Sequence, residues 1–333
     1  MILPKLLDGV DCLQVLALKT GGLAPWRTLN DQNSVPTLGL GTWLGFSSKV
    51  RPFTWHEVED AVAWAIDAGY RHIDTAHIYD TESQVGKAIK KKIEDGTVKR
   101  EDLFITTKLW NDKHAEEAVI PALKHSLQQL GLDYVDLYLI HWPVGTHAYN
   151  SFDNSDYLDT WRGMVAARDQ GLARSIGVSN FNQEQLKRLI SNSSVKPAML
   201  QVELNLNLQQ PALLAYCRSQ GIEVTGYTPF GSLFPSKATP TAPPPRVDDP
   251  ELVAIAQKYN KTVPQIALRY LWELGVIPIP KSVTRSRVEQ NLQVFDFELT
   301  AEDREKLKSY DRGYRTIDLK GWKNSPYYPF ERN

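Results

Sequence analysis

Cysteine is nearly absent: Cys12 and Cys217 are the only two in 333 residues. Two thiols that far apart build neither a disulfide framework nor a thiolate metal cluster. No apolar run reaches the roughly 18 residues that a membrane-spanning helix needs. Charge is balanced, with 38 Lys and Arg against 39 Asp and Glu, for a formal net charge of −1. No basic run draws the chain to nucleic acid or to an anionic membrane, so neither is expected as a partner. The seven histidines are scattered, and none falls in HExxH or another metal-ligand spacing, so no metal is expected. Gly39, Gly41 and Gly45 give GxGxxxG rather than the dinucleotide fingerprint GxGxxG. What is present, 42% hydrophobic and 23% charged residues, is ordinary globular composition at a length suited to one large α/β domain or two smaller ones.

Residues 1–27 are the least structured in pattern. Leu13 to Leu18 form a short apolar patch, and Gly22-Leu23-Ala24 has the look of a signal-peptidase site. However, Asp8 and Asp11 stand where a positive n-region belongs, Gln14 interrupts the patch, and Pro25 would follow the cut. A loosely ordered extension over 1–27 and a cytoplasmic protein are therefore expected. Secretion is the alternative, if residues 1–24 act as an atypical signal peptide.

From residue 28 onward, strand-like apolar runs alternate with helix-like periodic ones. Leu29 to Thr37 reads as a small hairpin, and Leu38 to Trp43 as a buried strand with glycines where something large must approach. Thr54, with Glu57 three residues on, has the pattern of a capping box, and Gly69 supplies the helix stop. Strands ending at Ile73, Thr107, Ile140, Val178, Leu204, Tyr227 and Ile279 follow, each succeeded by a helical pattern. Eight such units in roughly 250 residues imply a parallel sheet, and their number points to a closed (β/α)8 barrel. An open, doubly wound sheet is the alternative, because alternation alone does not show closure. No linker-like shift in composition divides residues 28–333, which are expected to form one domain. The loop from Phe230 to Asp249, with five prolines between Pro235 and Pro245, reads as a surface excursion or a lid.

In a barrel, chemistry sits at the carboxyl ends of the strands. There the chain places Asp74 and Tyr79 in HIDTAHIY, Lys108 in ITTKLW and His141 in LIHWP. Singly, each has an ordinary reading as a cap, a core phenol, a salt-bridged lysine or a satisfied histidine. Together on one face they make a specific acid. A phenol is a poor proton donor at neutral pH; a neighbouring ammonium lowers its pKa, and a carboxylate keeps that ammonium charged. His141 can bind the same oxygen that Tyr79 protonates. Such a set suits a reaction that builds negative charge on a carbonyl oxygen and then protonates it, as hydride addition does.

These segments resemble the aldo-keto reductases over roughly residues 28 to 315. The family's LGLGTW, GYRHIDTA, ITTKLW, LIHWP, IGVSNF and IPKS motifs stand at Leu38 to Trp43, Gly69 to Ala76, Ile105 to Trp110, Leu139 to Pro143, Ile176 to Phe181 and Ile279 to Ser282. The spacing agrees as well: 5 residues from Asp74 to Tyr79, 29 on to Lys108, and 33 on to His141. The resemblance implies a (β/α)8 TIM barrel with an N-terminal β-hairpin, reducing an aldehyde or ketone with NADPH. Tyr79 would be the general acid, Lys108 and Asp74 its tuners, and His141 the orienting group. Ser179, Asn180 and Gln201 would bind the nicotinamide amide and Tyr227 stack on its ring. Thr228, Phe230 and Ser232 would surround the pyrophosphate, with the proline-rich loop as a belt over the cofactor. Lys281, Ser282 and Arg287 would hold the 2′-phosphate and Asn291 contact the adenine, with Thr42, Trp43, Asp74, Val283 and Gln290 completing the cofactor set. Trp43, Trp110 and Trp142 would line the substrate pocket beside Tyr79 and His141. A monomer acting on a small carbonyl compound is expected, of the NADP-dependent alcohol dehydrogenase or aldehyde reductase type.

The alternative is a non-catalytic NADPH-binding or structural protein on the same barrel. No tyrosine is followed four residues later by lysine, so the catalytic pair of short-chain dehydrogenases is absent. Three departures from the family stand out. Gln290 replaces a common Glu, residues 205–210 read NLNLQQ where many members have Pro-Tyr, and the connection at Val50 to Trp55 is long. The aromatic tail, with Trp322, Tyr327, Tyr328 and Phe330, is similar to that of arthropod members. That likeness makes 3-dehydroecdysteroids and unsaturated or aromatic aldehydes the candidate substrates. Such a tail is expected to wall the substrate pocket.

Overall fold

The computed structural model describes residues 24–45, 56–148, 151–153 and 155–332. The apolar patch near Leu13, the Thr54 capping box and the Val50–Trp55 connection lie outside those residues. The fold opens on a hairpin of β1 (Trp26–Thr28) and β2 (Ser34–Pro36), antiparallel with Arg27 opposite Val35. Trp26 and Arg27 of this hairpin lie ahead of residue 28, from which the sequence pattern is read.

Eight parallel strands then follow one another around a single sheet. They are β3 (Leu40–Gly41), β4 (His72–Asp74), β5 (Phe104–Leu109), β6 (Val135–Ile140), β9 (Ala173–Ser179), β10 (Met199–Glu203), β11 (Glu223–Tyr227) and β12 (Val276–Pro278). Their spatial order is their chain order, with no reversal of the kind a doubly wound sheet requires. Closure comes from the first and last strands. The N–H groups of Gly39 and Gly41 donate to Pro278 O and Pro280 O, each at 3.1 Å. Pro278 and Pro280 have no N–H, so on this side they only accept, while Ile279 between them donates the other way, to Gly226 O at 3.0 Å. The glycines expected to admit something large admit this seam. A Cβ on Gly39 would lie 2.8 Å from the His72 ring, and one on Gly41 would lie 3.0 Å from Ile279 O.

The helices pack outside as the periodicity demands. Val58, Ala61, Val62, Ala65 and Ile66 are the buried face of α1 (Glu57–Ala68), which stops at Gly69 with φ of 109°. Next come α2 (Glu82–Glu94), α3 (Glu116–Leu130), α4 (Tyr157–Asp169), α5 (Gln183–Ser191), α6 (Pro211–Gln220), α7 (Pro250–Lys258), α8 (Val263–Glu273), α9 (Arg285–Leu292) and α10 (Ala301–Lys308). Apart from short 3-10 turns such as His77–Tyr79, two elements were not read from the sequence: the hairpin of β7 (Thr146–Ala148) and β8 (Ser151–Phe152) after His141, and α10. The latter carried a legible signal, Thr300 followed three residues later by Asp303, and Thr300 Oγ1 does accept from Asp303 N at 3.3 Å. The long loop from Phe230 is drawn shut at its base, where Val247 N donates to Leu233 O at 2.8 Å.

Candidate active site

Strand alternation decides which side chains reach the barrel mouth. On β5, Thr106 faces His72, with Oγ1 3.2 Å from its Nε2, while Thr107 turns the other way and donates to Glu82 Oε1 at 2.6 Å. Lys108 therefore shares the inward face with Thr106. Its ammonium has three protons and makes three bonds: to Asp74 Oδ1 at 2.6 Å, Thr75 O at 2.9 Å and Tyr79 Oη at 3.2 Å. Asp74 is fixed from its other oxygen by Gln201 Nε2 at 2.7 Å, across the barrel from β10. Thr42, at the end of β3, bonds Asp74 O through Oγ1 at 3.0 Å. His141 follows β6, tied by its N–H to Leu109 O at 3.1 Å, and its ring meets that of Tyr79 edge-on at 5.6 Å. The four candidate catalytic side chains thus converge. Neither Thr75 O nor the Gln201 bond to Asp74 was foreseen.

The electrostatics differ from the sequence argument in one respect. Burial, first, and the Asp74 charge, second, hold the Tyr79 phenol well above its ordinary pKa rather than below it. Lys108 is itself neutralised by Asp74, and a phenolate here would lose its water. Tyr79 therefore stays protonated at neutral pH, ready to donate, and the ammonium acts on the charge that appears once the proton leaves. Burial lowers the Lys108 ammonium, an effect that Asp74 opposes. Burial and then the Lys108 charge drive His141 well below the usual histidine range, so its imidazole is neutral.

Aromatic rings wall the mouth. Trp110 lies edge-on to His141 at 5.2 Å, and Trp43 is 6.3 Å from Tyr79. The tail completes the wall: Trp322 stands 6.2 Å from Trp110 and 5.5 Å from Trp142, and Phe330 stands 5.8 Å from Trp142. Tyr327 packs both on Tyr157 of α4, at 5.2 Å, and against the cluster of Trp142, Trp322 and Tyr328, so that one ring joins the wall to the outer helix.

The remaining candidates fall into three groups. Asn180 donates to His141 O at 2.9 Å and to Ser179 Oγ at 3.1 Å, and accepts from Tyr227 Oη at 2.7 Å, while Ser179 Oγ donates to Gln201 O at 2.9 Å. These four residues hold one another, from the ends of β9 and β11 and the middle of β10. Thr228, with φ of 49°, turns the chain into the loop bearing Phe230 and Ser232, whose Oγ is buried without a partner among the described residues. At the junction of β12 and α9, Lys281 and Arg287 are exposed and Ser282 is buried, its Oγ accepting from Thr284 N at 3.1 Å. Val283 packs on the core there, and along α9 Gln290 is exposed where its neighbour Asn291 is buried. Among the described residues no carboxylate makes an ion pair with Lys281 or Arg287, and no cluster of metal ligands occurs. Desolvation and then the positive charge of Lys237 lower the Lys281 ammonium, with Glu57 opposing.

Comparison with known proteins follows the same lines. The model of the "Aldo/keto reductase family" matches residues 37–312. Aldo-keto reductase AKR2E4 of Bombyx mori is 53% identical over 306 residues, 92% of this chain and 98% of that protein. Its crystal structure in complex with NADP superposes with a TM-score of 0.88 at 52% identity, covering 92% of this chain and 99% of the other. The structure of aldo-keto reductase AKR2E5 complexed with NADPH gives a TM-score of 0.89 at 46% identity, covering 92% and 94%.

Proposed function

The chain belongs to the aldo/keto reductase family, and from that premise we propose how its residues carry out the NADPH-dependent reduction of an aldehyde or ketone to an alcohol. The observation that carries the reading is the buried run from Asp74 through Lys108 to the Tyr79 phenol, ending beside a neutral imidazole. Polar groups around the mouth fit the cofactor: among the described residues Ser232 Oγ is buried and unpartnered, and Lys281 and Arg287 flank the start of α9, whose N-cap Thr284 makes no side-chain cap. Lys281, Ser282 and Arg287 would hold its 2′-phosphate, with Val283 beside them, and Thr228, Phe230 and Ser232 its pyrophosphate. Ser179, Asn180, Gln201 and Tyr227 would hold the nicotinamide, with Gln290 and Asn291 toward the adenine and Thr42, Trp43 and Asp74 on the barrel side. When bound, NADPH supplies the hydride that adds to the carbonyl carbon.

The protein's own share is orientation and proton transfer. His141 and Tyr79 hold the carbonyl oxygen between them, and the tryptophans exclude water around it. Tyr79 gives its proton to the oxygen as negative charge builds there. The phenolate that remains lies 3.2 Å from the Lys108 ammonium, which stabilises it, and Asp74 keeps that ammonium charged. On the same reading the enzyme is an aldehyde-reductase-type monomer of the cytoplasm, which sedimentation velocity and cell fractionation would test. The central test is loss of reduced-nicotinamide absorbance with an aromatic aldehyde. Tyr79→Phe should slow turnover by roughly 10²- to 10⁴-fold while NADPH still quenches tryptophan fluorescence. Retention of more than about a tenth of the turnover removes Tyr79 from the donor role.

A further inference from the structure

We propose that Glu203 is the positioning residue that sets the substrate range, its buried carboxylate fastening the base of the C-terminal tail and so fixing the aromatic wall over the mouth. The proposal rests on the reading of Trp110, Trp142 and Trp322 as that wall.

Glu203 ends β10 and is 0% exposed. Among the described residues its carboxylate meets only donors, and nearly all come from the tail. Thr316 N lies 2.9 and 3.1 Å from its two oxygens, Thr316 Oγ1 2.5 Å from Oε1, and Ile317 N 2.9 Å from Oε2. Asn205 Nδ2 adds a bond to Oε1 at 3.1 Å. A carboxylate this deep is stable as an ion only when such donors fill its lone pairs, and it holds them more tightly than a neutral acceptor would. Burial pushes its pKa up, and Thr316, Ile317 and Arg315 pull it back.

From this latch the tail runs directly into the wall. Arg315, next to the latched Thr316, lies 3.7 Å over the Phe330 ring, and Phe330 meets Trp142. Tyr328 Oη donates to Asp318 O at 2.5 Å, folding the end of the tail back on its beginning. The far end has its own fastening, from Asn182 Nδ2 to Pro329 O at 3.0 Å and Gln185 Nε2 to Tyr327 O at 2.8 Å. Trp322 lies between the two anchors. With one anchor gone, Trp322 and Phe330 lose their fixed distance from Trp110 and Trp142. That distance matters to a ligand that fills the gap, and little to one that does not.

Glu203→Gln keeps the size and removes the charge, leaving an amide N–H₂ facing the Thr316 and Ile317 N–H groups. Amide hydrogen exchange read by mass spectrometry should quicken at least tenfold at Thr316 and Ile317. The KM for a tetracyclic ketone should rise at least fivefold, with both kinetic constants for propanal and the Kd of NADPH within twofold of wild type. Unchanged exchange overturns the latch. Faster exchange with an equal change in KM for both carbonyls overturns the role in substrate range while leaving the reductase reading intact. A wild-type protein that binds NADPH and reduces neither compound overturns the reductase reading, and this role with it. Should the glutamine variant fail to fold, Thr316→Val removes only the hydroxyl donor from the tail side. It should raise the ketone KM at least twofold, and no change there refutes the proposal equally.

Discussion

Substituting Asp74 by Asn separates the charge of this carboxylate from its shape. Lys108 is fully buried, and at 2.6 Å the Asp74 carboxylate is the only anion bonded to it among the described residues. At an effective dielectric constant of about 20, the attraction over that distance is about 6 kcal/mol. Relaxation of the site recovers part of this, but even a third exceeds the ~1.4 kcal/mol that shifts a protonation equilibrium tenfold. Burial already lowers the Lys108 ammonium, so removing the charge that opposes it moves Lys108 further toward the free amine. Geometry adds to the loss. Asp74 accepts from both Lys108 and Gln201, whereas an asparagine presents one oxygen and must turn its N–H₂ toward one of the two. We expect turnover at neutral pH to fall by about 10²-fold, the scale of a general acid's contribution. The sign with pH is the sharper mark: a lysine of lowered pKa regains its proton as pH falls, so the variant's kcat should climb toward low pH where wild type shows no such rise. Steady-state kinetics across the pH range, with NADPH held saturating, reads this out. A variant profile parallel to that of wild type, however slow, would mean that charge is not what Asp74 contributes.

Three further outcomes can be measured independently. Arg287→Ala should weaken NADPH at least about tenfold and leave NADH nearly unchanged, because only the former carries a 2′-phosphate to bond; equal weakening of both refutes the assignment. Gly86→Ala, on α2, should lower the urea midpoint although alanine ordinarily stabilises a helix by ~1 kcal/mol, because its Cβ would lie 2.3 Å from Leu130 O; a gain in stability would show that the helices can separate. Burial holds His114 down to about 4, so between that value and its ordinary 6.5 the unfolded chain binds the extra proton and stability falls as pH falls. His114→Phe should flatten that slope by up to ~1.4 kcal/mol per pH unit, and an unaltered slope in urea unfolding counts against it.

The fold was legible because a barrel repeats one local rule eight times. Each strand is an apolar run and each helix an amphipathic one, so periodicity finds both without knowledge of their partners. The two elements missed break that rule. The hairpin at Thr146–Ala148 and Ser151–Phe152 has strands of three and two residues, too short for alternation to show. The helix at Ala301–Lys308 buries only Asp303 and Leu307, which is too little for an apolar stripe, so its cap was the one signal available. Closure was invisible for a different reason. It rests on Gly39 and Gly41 finding Pro278 and Pro280, residues with no periodic signature that meet only when the ring is complete.

The site divides along the same line. Asp74, Lys108 and His141 were readable because each directly follows or ends an apolar strand, and strand ends share one face of the barrel whatever its packing. Contacts that span the barrel were not, since the Gln201 bond to Asp74 joins positions 127 residues apart and the Glu203 bond to Thr316 joins positions 113 apart. The Tyr79 phenol shows the limit most clearly. The sequence identifies the charges that will surround it, and from these alone a lowered pKa follows. What the sequence does not carry is the dielectric, and at this position burial, followed by the Asp74 charge, holds the phenol up. The reversal helps the chemistry, because an acid must hold its proton until the carbonyl arrives. A phenol ionised by its ammonium in the resting enzyme would have nothing left to give, whereas one kept neutral by burial meets that ammonium's attraction only as the proton departs.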